Sequence, residues 1–373
     1  MTNSSQSILR KLVSFDTTSR NSNLPLIEWA ADVLHSSGAR VELIHNTSGG
    51  KANLLASLGP DCAGGVVLSG HTDVVPVDGQ EWTHDPFDLV ERDGRLYGRG
   101  SADMKGFIAC CLAALPYFRQ LALRRPLHFA FSYDEEIGCF GAHSLVDRIV
   151  GSLQAPAFAI VGEPTDMQIG TSHNGVTFCQ TRFLGVAAHA SDPAKGVNAI
   201  LAAADWVQFL SGVAKHPKLA NRGTTINVGR IAGGAATNIV AERASVHWEY
   251  RTATPEDTRA VAERISGHLA GKPATALQIS NETDLEVPPF VSNLDEPSMQ
   301  MLAAFGAKLP PRQIPFGSEA GIFEKGRIPT ILCGPGSIDQ AHRPDEWIAC
   351  SALAEADRFL ARLGAWAAES APR

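Results

Sequence analysis

Four short apolar runs in this chain each end abruptly in a polar, acidic or glycine-rich loop, and that pattern constrains the fold more than any other feature. Gly65-Val66-Val67-Leu68-Ser69-Gly70 meets His71-Thr72-Asp73, and Leu127-His128-Phe129-Ala130-Phe131-Ser132-Tyr133 meets Asp134-Glu135-Glu136. Phe158-Ala159-Ile160-Val161 meets Gly162-Glu163-Pro164, and Pro329-Thr330-Ile331-Leu332-Cys333 meets Gly334-Pro335-Gly336. Such short runs, rich in Val, Ile, Leu and Phe, are too short for helices and too continuously apolar for half-exposed strands. With helical stretches such as 104–121 between them, they predict the buried strands of an α/β sheet. Leu26, Ile27, Ala30, Val33 and Leu34 fall on one helical face with Gly38 as a stop, and Leu353, Ala356, Leu360 and Leu363 mark a last helix.

The middle third reads differently. Around 177–184, 225–230 and 244–251 apolar and polar residues alternate, as in strands with one wet face. Helices are expected at 198–210 and 255–269, with a final strand near 275–280. Strand–helix–strand–strand–helix–strand is the order of a small α+β, ferredoxin-like domain. The expectation is therefore an inserted domain at 176–284, a dimerisation or lid module. It interrupts a catalytic domain made of 1–175 and 285–373, with Pro288-Pro289 in the return linker.

Composition narrows the function. The 373 residues carry 32 Lys+Arg against 39 Asp+Glu, a formal charge of -7 that argues against a nucleic-acid partner. The longest uncharged apolar stretch, 106–118, falls short of the ~20 residues a spanning helix needs. No secretory h-region opens the chain, and seven cysteines without a C-x-x-C pair suit buried thiols rather than a disulfide framework or a thiolate metal site. A cytoplasmic location fits these features.

Ligands of open α/β sheets bind at the carboxyl ends of the strands. His71 and Asp73, Glu135 and Glu136, and Glu163 stand at three such ends, His342 follows the fourth, and Asp103 lies in the loop 98–106 before a helix. Each residue alone has an ordinary structural explanation; their convergence on one edge does not. Asp103, Glu136 and Glu163 with neutral His71 and His342 carry a charge of minus three, which two divalent cations and one hydroxide balance. Imidazole and carboxylate donors without thiolate suit catalytic zinc, or cobalt or manganese, with open positions. Glu135 is left free to move a proton.

The segments Ser69-Gly70-His71-Thr72-Asp73-Val74-Val75-Pro76, Gly98-Arg99-Gly100-Ser101-Ala102-Asp103-Met104-Lys105-Gly106, Asp134-Glu135-Glu136-Ile137-Gly138 and Gly162-Glu163-Pro164-Thr165 carry a resemblance. It continues through Ala188-His189-Ala190-Ser191-Asp192-Pro193, Gly317-Ser318-Glu319-Ala320-Gly321 and Gly334-Pro335-Gly336-Ser337-Ile338-Asp339-Gln340-Ala341-His342. In collinear order, over nearly the whole chain, the sequence resembles the M20 family of dinuclear-zinc aminoacylases and peptidases, and within it the acetylornithine deacetylase branch.

The resemblance implies roles. His71 and Glu163 would hold one cation, Glu136 and His342 the other, and Asp103 would bridge them. Asp73 would orient His71, Glu135 would be general base and then acid, and His189 would stabilise the oxyanion across a homodimer interface. Arg251 and Asn238 would hold the substrate carboxylate, and Glu319 would face a side-chain ammonium. One departure is visible: Glu249-Tyr250-Arg251 stands where the family's strand closes with Asp-x-Arg. The implied reaction is removal of the acetyl group from N2-acetyl-L-ornithine, a step of arginine biosynthesis. Acetylcitrulline deacetylation, desuccinylation of succinyl-diaminopimelate and di- or tripeptide hydrolysis are the alternatives with the same chemistry. A non-catalytic binding protein on the same fold is the alternative of another class.

Overall fold

The structure, a computed structural model, describes residues 4–271 and 276–369. The chain divides into two compact units: Met1–Ser172 with Ser292–Ile314 and Ser318–Arg373, and His173–Val291 with Pro315–Gly317.

In the larger unit the four apolar runs become strands Leu127–Ser132, Val66–His71, Phe158–Val161 and Thr330–Leu332, neighbours in that order and all parallel. Every residue in them is buried. That is why they read as continuous apolar segments: helices cover both faces of the sheet. Leu54, Ala56, Val66, Leu68, Phe129 and Ile160 join one core with helices Ser5–Val13, Leu24–Ser36, Lys105–Ala113 and Cys350–Ala368. Helix Phe140–Ser152 lies on the opposite face, where Asn53 Nδ2 donates to the Gly141 carbonyl. Antiparallel strands Ala52–Leu58 and Arg40–His45 extend the sheet at one side, so the expected mixed sheet flanked by helices is what forms.

Two local features carry the chain into the site. The helical stretch expected over 104–121 is two helices, Lys105–Ala113 and Leu115–Phe118, because Pro116 lacks the N–H an unbroken helix would need. Gly162, between strand Phe158–Val161 and Glu163, has the Phe107 ring lying where a side chain would be: an added Cβ would sit 2.0 Å from it. Any larger residue there would push the Glu163 turn off the helix beneath it.

His128 is buried within the sheet. Its Nδ1 meets Ser57 Oγ at 2.8 Å, its Nε2 has no hydrogen-bond partner, and an added Cβ on Gly65 would sit 2.7 Å from Nε2. Burial, aided by the charge of Arg40, pushes its pKa down to about 4. The native ring is therefore neutral while the unfolded one titrates near 6.5. Its contribution is complete above pH ~6.5 and is lost as pH falls toward 4. Between pH 7 and 4.5 the protein should lose about 2–3 kcal/mol more than His128→Gln in urea unfolding. Parallel pH dependences would remove this assignment.

The smaller unit is a four-stranded antiparallel sheet in the order Thr225–Gly233, Arg243–Thr252, Gly175–Leu184, Gln278–Val287. Helices Ala199–Ala214 and Pro255–Ala270 bury one face through Phe183, Val246, Trp248, Trp206, Leu210 and Ile265. The alternation read from the sequence is this one-sided burial. Asn198 caps the first helix by accepting from the Ile200 and Leu201 N–H groups. The strand expected near 275–280 begins at Gln278; Thr275 lies outside the described residues.

Candidate metal centre

Strand Val66–His71 ends on His71, strand Leu127–Ser132 leads to Glu135 and Glu136, and strand Phe158–Val161 leads to Glu163. Because these strands are parallel, all those side chains emerge at one rim of the sheet. Asp103 enters from the loop before helix Lys105–Ala113, and His342 from the turn after the short helix Ile338–Gln340. The donor atoms form two triads, His71–Asp103–Glu163 and Asp103–Glu136–His342, each with its atoms within 4.8 Å of one another. Asp103 belongs to both. Its Oδ1 lies 3.0 Å from His71 Nε2 and its Oδ2 3.4 Å from His342 Nε2, which is 3.1 Å from Glu136 Oε2.

The donor set fits a pair of divalent cations. The buried Glu163 Oε1 has no hydrogen-bond partner although it faces this cluster. Burial pushes Glu163 and Glu135 well above the ordinary carboxylate range, with neighbouring carboxylates adding to the rise, and lifts Glu136 to about 7. The two imidazoles respond in the opposite sense. Bonds to Asp103 and Glu136 raise His342 to about 10. Burial opposes protonation of His71, but the Asp103 bond and the charges of Glu135, Asp103 and Glu163 outweigh it and raise the group well above its usual value. Asp103 is drawn below its ordinary range, since its bonds to His342 and His71 overcome its burial. Carboxylates packed so closely at one rim are a set that bound divalent cations would stabilise, and oxygen and imidazole donors suit zinc, cobalt or manganese.

The surroundings refine one expectation and correct two. Asp73 meets His71 through its backbone: His71 Nδ1 donates to the Asp73 carbonyl at 2.9 Å, while the Asp73 carboxylate stands 3.7 Å away. A carbonyl only accepts, so this bond fixes the proton on Nδ1 and leaves Nε2 as the donor atom. The Asp73 carboxylate accepts instead from Ser19 Oγ and from the Glu135 and Glu136 N–H groups, so it shapes the turn that carries both glutamates.

Glu319, expected opposite a substrate ammonium, is completely buried, with its carboxylate taken by the hydroxyls of Ser69 at 2.5 Å and Ser132 at 2.7 Å. It braces two sheet strands and has no face open to a ligand.

In the smaller unit, Ala190 N–H donates to the Asn238 carbonyl and His189 bridges Ile239, so His189 and Asn238 are neighbours, both exposed. Their segment adjoins the Arg243 end of strand Arg243–Thr252, where Gly185 N–H bonds the Glu242 carbonyl. Arg251 lies at the other end, about 26 Å along the strand at ~3.3 Å per residue. Asn238 and Arg251 of one chain therefore cannot hold the same carboxylate. At that end Glu249 Oε1 accepts from Arg251 Nε at 3.1 Å, which keeps a carboxylate beside the guanidinium.

Several contributors escaped the sequence reading. Ser19 and Ser132 carry no motif signal that separates them from other serines, and Ser69, though inside a recognisable segment, gives no sign of its partner. Lys51, whose ammonium links the Ser19 carbonyl to Asp134, is equally silent. Arg99 and Glu346 stand in or beside recognisable segments, and only their contacts reveal their work.

Residues 67–365, well over half of the chain, match the model of Peptidase family M20/M25/M40. Among solved structures, the chain is similar to the aminopeptidase PepT from Bacillus cereus, at 22% identity and TM-score 0.75 over 99% of both chains. It is similar to an M20 family metallo-carboxypeptidase, Sso-CP2 from Sulfolobus solfataricus, at 18% identity and TM-score 0.76 over 98% of this chain and 99% of that one. A third is the YXEP protein of Bacillus subtilis, a dinuclear metal-binding peptidase of the M20 family, at 18% identity and TM-score 0.66 over 96% of each. These three are likenesses of fold. With the family match over residues 67–365, the chain belongs to the M20/M25/M40 peptidase family and is a metallohydrolase.

Proposed function

We propose that this protein hydrolyses the amide bond of an N-acyl amino acid at a pair of zinc ions, with N2-acetyl-L-ornithine as substrate and ornithine and acetate as products. The observation that carries the reading is the pair of donor triads sharing Asp103. His71 and Glu163 would hold one cation and Glu136 and His342 the other. Two such cations would polarise the scissile carbonyl and make an attacking water acidic enough to lose its proton near neutral pH.

The remaining steps fall to side chains. Glu135 belongs to neither triad, so its carboxylate is free to accept the proton of the attacking water. Its raised pKa suits a group that must then return that proton to the departing amine. The Asp73 carboxylate holds the Glu135 backbone, and with it the reach of that side chain. Arg251 would read the substrate carboxylate and His189 would donate to the oxyanion. The distance between the Asn238 and Arg251 ends of one sheet supports a homodimer, in which one chain supplies His189 and Asn238 to the other's site.

The acetylornithine branch rests on the segments Gly317-Ser318-Glu319-Ala320 and Gln340-Ala341-His342-Arg343-Pro344-Asp345-Glu346. Likeness of fold to an aminopeptidase and a carboxypeptidase favours peptide hydrolysis as the second reading. A panel of acetylornithine, acetylcitrulline, acetylmethionine, succinyl-diaminopimelate and short peptides, assayed with zinc-reconstituted protein, separates them. The highest kcat/KM should fall on acetylornithine; a peptide in first place would replace this substrate with the second.

A further inference from the structure

His342 is the least enclosed of the five donors, its side chain 54% exposed, whereas those of His71 and Asp103 are 1% and 8% exposed. It also sits at φ +65°, in the left-handed region that few non-glycine residues adopt. Something other than side-chain burial must keep it aimed at Asp103.

A continuous chain of hydrogen bonds supplies that constraint. The buried Glu346 carboxylate is fully engaged: Oε1 accepts from the Ala102 and Asp103 N–H groups at 2.9 and 3.1 Å, and Oε2 from Gly100 N–H at 3.1 Å and Arg99 Nη1 at 2.7 Å. Arg99, itself buried, donates from Nη2 to Gln80 Oε1 at 2.5 Å and from Nη1 to the Arg343 carbonyl at 3.3 Å. The indole of Trp82 faces the guanidinium at 5.1 Å and donates to the same Gln80 oxygen. Gln80 Nε2 then donates to the His342 carbonyl at 2.9 Å. The path runs from the backbone of Asp103 to the backbone of His342 without a gap, and its core bonds are charge-assisted.

We propose that Glu346, Arg99 and Gln80 are positioning residues that fix the separation of Asp103 and His342, and so set the affinity of the one cation position these two share with Glu136. The proposal rests on the two-cation reading above. The other position is held differently. His71 ends a sheet strand with its ring tied to the Asp73 carbonyl, and Glu163 follows the next strand, so neither depends on this chain of bonds. Both positions share Asp103, but His342 belongs to one alone, so loss of the chain should be felt more strongly at that position than at the other.

The test is calorimetric titration of metal-free protein with Co²⁺, with the visible absorption of the bound cobalt as a second readout. Wild-type protein should take two equivalents. In Glu346→Gln the amide presents donors to backbone N–H groups, and one equivalent should bind about 10–100-fold more weakly with an altered spectrum, while the other, which keeps His71 and Glu163, weakens less. Gln80→Ala removes only the half-buried outer link and should show the same selective loss even where Glu346→Gln fails to fold. Unchanged affinities and spectra in Gln80→Ala would overturn the proposal, as would equal weakening of both equivalents. A lower melting temperature of the metal-free variant with intact cobalt binding would also overturn it, by reducing these residues to a structural role. Wild-type protein that binds fewer than two equivalents would instead sink the two-cation reading beneath it.

Discussion

Replacing Glu135 with glutamine should leave two equivalents of divalent metal bound and lower kcat by about 10²–10⁴-fold, the range general acid–base groups contribute. The expectation follows from where Glu135 stands. It is outside both donor triads, so metal content does not depend on it. Its backbone is held by the Asp73 carboxylate and one carboxylate oxygen meets Cys139 Sγ at 3.5 Å, so the variant side chain keeps its place while losing its basicity. KM should change little, because the loss is one of proton transfer and not of binding. A variant that keeps its turnover would place the base elsewhere, and one that loses metal would make Glu135 a ligand.

Asp103→Asn should have the opposite signature. Asp103 is the only residue common to both triads, so its loss removes a donor and a negative charge from each. Metal content should fall below one equivalent, and activity should fall to background. His342→Ala supplies the contrast: it touches one triad only and should retain close to one equivalent. Elemental analysis of the three proteins after identical dialysis reads the difference directly. Equal metal content in Asp103→Asn and His342→Ala would show that the two positions do not share that carboxylate.

His71, Glu136 and Glu163 were legible in the sequence because each stands at or just past the end of an apolar run, where an α/β sheet places its ligand groups, whereas Asp103 and His342 enter from loops. The one-sided sheet of the smaller unit was legible for a related reason: Val246 and Trp248 alternate with Ser245 and His247. Strands Gln168–His173 and Arg40–His45 were not identified, since their mixed composition has neither signature. The errors at the site share one cause. Periodicity says which face a residue occupies but not which atom it offers. Nothing in the order of residues shows that His71 uses the carbonyl of Asp73, or that Ser69 and Ser132 close over Glu319. The fourfold grip of Glu346 on the Asp103 loop joins residues more than two hundred positions apart, beyond any local pattern.

The central claim is that His71, Asp103, Glu136, Glu163 and His342 together hold two catalytic cations. Metal content measured beside amide hydrolysis, through chelation to the metal-free protein and stepwise return of zinc, tests it most directly. The account expects activity to vanish with the metal and to return as the second equivalent is restored. Undiminished hydrolysis by fully metal-free protein, or complete recovery with a single equivalent, would contradict it.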